Sequence, residues 1–77
     1  MIVRSQNHHE SIPVSRILRT KVEQKDPGNW LVTATVEPDR AIVLARYPNE
    51  NEALTADTLM WLCEEDFYYF PVSVEKR

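Results

Sequence analysis

Glycine is almost missing from this chain: of 77 residues only Gly28 is one. A single glycine cannot build a phosphate-cradling loop, so neither the G-x-G-x-x-G fingerprint nor a P-loop is present. Cysteine is equally scarce. Cys63 alone excludes an intramolecular disulfide and a cysteine-based zinc site, and it fits a reducing cytosol. No apolar run reaches the ~18 residues that a membrane span needs. The opening MIVRSQNHH carries no apolar leader segment, which again points to the cytosol. Basic residues are also missing from one long stretch, because no lysine or arginine occurs between Arg46 and Lys76.

What is present belongs to a small folded domain. Hydrophobic residues make up 43% of the chain and charged residues 27%, a globular balance. The expectation is one domain over residues 1–77. A chain this short has a thin core, and self-association into a homodimer is a common remedy. The net charge of −3 is unevenly spread. Residues 1–46 hold seven basic and five acidic side chains, whereas residues 47–77 hold two and seven. A pI near 5.3 lies far below that of a typical nucleic-acid binder, so direct binding to DNA or RNA is disfavoured.

Periodicity predicts an α+β fold. Ile2–Gln6 reads as a short strand and Asn7–Ser11 as a polar loop. In Val14–Gln24, alternation and four β-branched residues favour a strand, with a helix over Ser15–Gln24 as the alternative. Asp26-Pro27-Gly28-Asn29 is a type II turn, since proline presets the first central φ and glycine supplies a positive second one. Trp30–Glu37 and Ala41–Tyr47 alternate as strands, joined by Pro38-Asp39-Arg40. Asn49 or Asn51 can cap a helix whose first turn holds Glu50 and Glu52. Ala53, Ala56, Met60, Cys63 and Phe67 recur at helical spacing and form its inner stripe. Tyr68–Val74, broken by Pro71, reads as a closing edge strand. The order is ββββαβ: a small antiparallel meander with one helix packed on one face.

Chemistry-bearing residues are sparse. His8-His9-Glu10 resembles a metal motif, but no third histidine exists, and a solvated loop accounts for it; no metal or cofactor is expected. Cys63 falls on the apolar stripe, the setting of an inert thiol. Two features remain. Glu64, Glu65 and Asp66 crowd the negative end of a helix dipole without a neighbouring cation. The run Phe67-Tyr68-Tyr69-Phe70 offers more aromatic surface than one core face can use. Tyr68, Tyr69 and Phe70 as apolar anchors, with Glu64, Glu65 and Asp66 as a charged rim, would make a docking surface for a basic protein partner. The competing account is a solvated acidic face with internal pairing to Arg40 or Arg46. A different class of reading places a small anionic, nucleotide-like ligand on Arg4, Arg16, Arg19 and Lys21 at a subunit interface. A third is a plain homodimeric domain. None of these is an enzyme.

The segments IVRSQ (2–6) and LARYPNENEAL (44–54) resemble a group of small uncharacterised proteins of Gram-positive bacteria and their phages. Ala45 stands where those proteins carry glycine, and Phe70-Pro71 where they carry Met-Pro. The resemblance implies an accessory protein of a phage or mobile element and assigns no catalytic residue.

Overall fold

The computed structural model describes residues 1–72. Its framework is the expected meander. The first of three long strands, Arg19–Asp26 (β3), turns through Pro27-Gly28 into Asn29–Glu37 (β4). Gly28 sits at φ +76°, the value a type II turn requires and one that a side chain would strain. Pro38-Asp39 then leads into Arg40–Tyr47 (β5), again antiparallel. The helix Glu50–Leu62 (α1) lies across all three strands. Among the described residues no helix is long and apolar enough to cross a membrane.

Local chemistry sets the ends of α1. Asn49, not Asn51, is the cap: its Oδ1 accepts from the backbone N–H of Glu52 at 2.9 Å. Its Nδ2 donates to the Glu52 carboxylate at 3.1 Å, so cap and third residue satisfy each other. Ala53, Ala56 and Met60 are buried against the sheet. The helix ends at Leu62, and Cys63 is already extended. The inner stripe therefore stops short of Phe67, which lies beyond the helix with its side chain exposed. Spacing alone could not reveal this, because Cys63 and Phe67 keep helical intervals after the helix has ended.

A second sheet joins the two extremes of the described chain. Ile2–Arg4 (β1) is flanked by Ser11–Pro13 (β2), antiparallel, and by Phe67–Tyr69 (β6), parallel. Neither β2 nor the parallel pairing is visible as periodicity, since three-residue strands carry too little pattern. The inner faces of both sheets meet in one core. Val3, Ile12, Ile17, Val32, Leu44, Met60 and Phe70 belong to it.

The segment before β3 also departs from simple alternation. Val14–Arg16 forms one turn of 3₁₀ helix, closed by the Ile17 N–H donating to the Val14 carbonyl at 3.0 Å. The turn shifts the phase, so Ile17 is buried while Leu18 is 62% exposed. From Arg19 the strand alternates, with Thr20 and Val22 partly covered and Arg19, Lys21 and Glu23 in solvent. The ladder through Asp26 excludes the helical alternative there.

Gln6 ties the two sheets together. Between Val32 and Thr33 the β4–β5 register shifts by one residue, leaving Leu44 as a bulge. The Leu44 carbonyl accepts from the Gln6 N–H at 2.7 Å, and the Arg46 N–H donates to Gln6 Oε1 at 3.0 Å. Gln6 Nε2 donates to the Pro71 carbonyl at 2.8 Å, which also accepts from the Tyr47 hydroxyl at 2.7 Å.

Candidate functional site

The acidic turn and the aromatic strand are built as one unit. Cys63 leaves the helix, and its sulfur accepts from the Glu65 N–H at 3.4 Å and donates to the Phe67 carbonyl at 3.8 Å. The Asp66 carbonyl accepts from the Ile2 N–H at 2.8 Å, which starts the pairing of β6 with β1. The backbone is thus fixed while all three carboxylates point to water: Glu64, Glu65 and Asp66 are exposed. Among the described residues none of them makes an ion pair, and the single salt bridge is Lys21–Glu23 at 3.3 Å. Neither Arg40 nor Arg46 neutralises them. The acids follow the helix rather than forming its last turn.

Strand alternation sorts the aromatic run into two pairs. Tyr68 and Phe70 turn inward and meet edge to face, with ring centroids 5.0 Å apart. Phe70 is 4% exposed, and the Tyr68 hydroxyl donates to the Ala56 carbonyl at 3.1 Å. Phe70 is a core residue and Tyr68 is half-buried against the core, which corrects their expected role as docking anchors. Phe67 and Tyr69 point outward instead. They remain 55% and 56% exposed and lie nearly parallel, 6.3 Å apart. Of the expected anchors only Tyr69 is at the surface, and Phe67 joins it. The register sets Ile2 beside Phe67 and Arg4 beside Tyr69 on the same outer face.

The basic set does not converge. Arg4 lies on β1 and donates from Nε to the Ser11 hydroxyl at 3.2 Å. Arg16 is in the 3₁₀ turn. Arg19 and Lys21 stand on the outer face of β3, where Lys21 pairs with Glu23. His8 and His9 are exposed in the loop between β1 and β2, where Asn7 Oδ1 accepts from the His9 N–H and the Ser5 hydroxyl. No group of three or more potential metal ligands comes together among the described residues.

One feature had no clear signal in the sequence. A groove of about 290 Å³ runs between Thr55 and Leu59 of α1 and Pro71-Val72, with Tyr47 and Ala56 in its wall. Leu54, Leu59 and Leu62 are all substantially exposed on the outer side of the same helix. These leucines lie off the inner stripe, the one trace the sequence offered.

No family model, no curated protein and no solved structure matches the chain. The residues and their geometry carry the functional reading.

Burial raises the Tyr47 hydroxyl well above the ordinary tyrosine pKa of about 10, helped by Tyr68 and Glu52 nearby. Burial raises Tyr68 in the same direction, with Cys63 and Asp57 adding to it. Between these raised values and the ordinary one, the folded state keeps phenolic protons that the unfolded chain releases. Their contribution is therefore intact below about pH 10 and is lost as pH rises past it. The melting temperature should fall steeply above that pH. Tyr47→Phe should lower it at neutral pH, by removing the bond to Pro71, and flatten the alkaline decline. Parallel alkaline curves for both proteins would contradict this assignment.

Proposed function

We propose that this chain is a non-enzymatic, cytosolic accessory domain that binds a basic protein partner on the outer face of β6. The observation that carries it is the exposed Phe67–Tyr69 pair beside three exposed carboxylates that make no ion pair among the described residues. Half-exposed aromatics on an edge strand supply contact area, and neighbouring charge steers association. A second copy fits the same surface poorly, because the contact would bring two sets of Glu64, Glu65 and Asp66 together. The resemblance to small phage proteins accords with an accessory role.

The test uses two variants that keep the core. One replaces Glu64, Glu65 and Asp66 by lysine; the other is Phe67→Ala with Tyr69→Ala. The lysine swap is expected to hold or slightly raise the melting temperature, since cations suit the end of α1. A partner captured by the wild type should associate roughly tenfold more slowly with the swap variant, and its wild-type on-rate should fall with salt. The alanine pair should shorten the lifetime of the complex. A partner held equally by all three proteins would sink the proposal. Sedimentation of the wild type as a dimer that the alanine pair dissolves would reassign the surface to self-association.

A further inference from the structure

A crevice lies where the two sheets meet, away from β6. Ser11 to Pro13 of β2 and Arg16 of the 3₁₀ turn form one wall. Arg40 and Ile42 of β5, with Val36 of β4, form the other. We propose that this crevice binds a small oxyanion, a phosphate or carboxylate carrying a short apolar group.

Four observations support the assignment. Arg16 and Arg40 come from distant parts of the chain to line one hollow, and neither makes an ion pair among the described residues. A guanidinium without an internal acid keeps its forked donors for an external oxyanion. Ser11 adds a third donor: its oxygen already accepts from Arg4 Nε, which leaves the hydroxyl proton to be given elsewhere. Ile12, Pro13, Val36 and Ile42 provide an apolar floor, and Ile12 is itself buried. The crevice volume of about 150 Å³ leaves room for one anionic group and a few carbons.

Glu10 lines the same crevice and opposes an anion. Its backbone is held in place, because its N–H donates to the Ser5 hydroxyl and its carbonyl accepts from the Ser5 N–H. The carboxylate therefore weakens binding of a bare anion and favours a ligand that brings a hydrogen-bond donor or retains a proton. This fixes the sign of a charge-removal experiment. Neutralising Glu10 should tighten binding, whereas neutralising either arginine should weaken it.

The experiment titrates the whole chain with phenyl phosphate, inorganic phosphate and butyrate, followed by calorimetry and thermal shift. Saturable binding is expected, with phenyl phosphate tighter than inorganic phosphate because it also covers the apolar floor. Arg16→Ala and Arg40→Ala should each weaken it about tenfold or more. Glu10→Gln should strengthen it several-fold, and Arg19→Ala, outside the crevice, should leave it unchanged. The exposed positions of Arg16, Arg40 and Arg19 keep these variants folded, which their melting curves will verify. Butyrate binding without phosphate binding would narrow the site to carboxylates, and the reverse would narrow it to phosphates. Absence of saturable binding by all three probes, or binding that survives the double arginine variant, would overturn the proposal. The protein-docking surface on β6 stands or falls separately.

Discussion

Met60→Asp is expected to leave the domain unfolded at room temperature. Met60 has no exposed surface and sits on the inner side of α1, in the core it shares with Val3, Val32 and Leu44. Truncating a buried methionine costs about 2–5 kcal/mol through lost contacts and the cavity left behind. A carboxylate at that position adds several kcal/mol more, because nothing in this apolar cluster can pair with it. A domain of this length has only about 4–12 kcal/mol to lose. Leu59→Asp, one position earlier and 48% exposed, should stay folded. Circular dichroism of the two variants distinguishes helix phase from general intolerance of charge. A wild-type melting curve for Met60→Asp would mean that α1 is rotated from the placement described above.

Gln6→Ala should be the most damaging substitution of a residue outside the apolar core. One side chain accepts from the Arg46 N–H and donates to the Pro71 carbonyl, bridging β5 to the segment after β6. Each bond contributes about 0.5–1.5 kcal/mol net, and water recovers part of the loss because Gln6 is only partly covered. A total near 1–2 kcal/mol corresponds to a fall of roughly 5–15 °C in melting temperature. Combining it with Tyr47→Phe removes both donors to the Pro71 carbonyl, and the double variant should lose more than the two single losses added together. A Gln6→Ala protein that melts with the wild type, or strict additivity in that cycle, would show that the bridge has no energetic weight.

The parts of this fold that the sequence revealed are those set by near neighbours. Asp26–Asn29 forms its turn because proline and glycine fix two consecutive dihedrals. Asn49 caps α1 through a bond spanning three residues. The alternation from Trp30 to Glu37 gives a strand, although Leu31 to Ala34 are buried on both faces because β4 is central. What stayed hidden depends on distant partners. The phase of Phe67–Phe70 is decided by β1, which draws Tyr68 inward beside Val3. Pro38-Asp39-Arg40 has the local character of a connection, and nothing local shows that Arg40 lines one crevice with Arg16. The acidic turn is legible, but three consecutive anchors, Tyr68 to Phe70, cannot share one face of a strand: Tyr69 is outward with Phe67, whereas Phe70 is buried and Tyr68 packs half-buried against the core. Composition marks an aromatic surface there, but which alternate pair faces outward depends on the pairing with β1, and a shift of one residue would exchange the pairs.

The parallel alignment of Ile2–Arg4 with Phe67–Tyr69 has a consequence for how the molecule comes into being. The meander pairs successive strands and α1 packs on strands that precede it, so this part can form as it emerges from the ribosome. β1 precedes the other described elements in the chain, yet one of its two strand partners, β6, follows all of them. Until then its second edge is open to pairing with other chains. Closing the longest loop in the molecule is a slow step, and it is gained late. The unpaired backbone edge of Ile2–Arg4 must therefore be tolerated until Phe67–Tyr69 is made, and a nascent chain stalled before Phe67 is a form of this protein prone to aggregate.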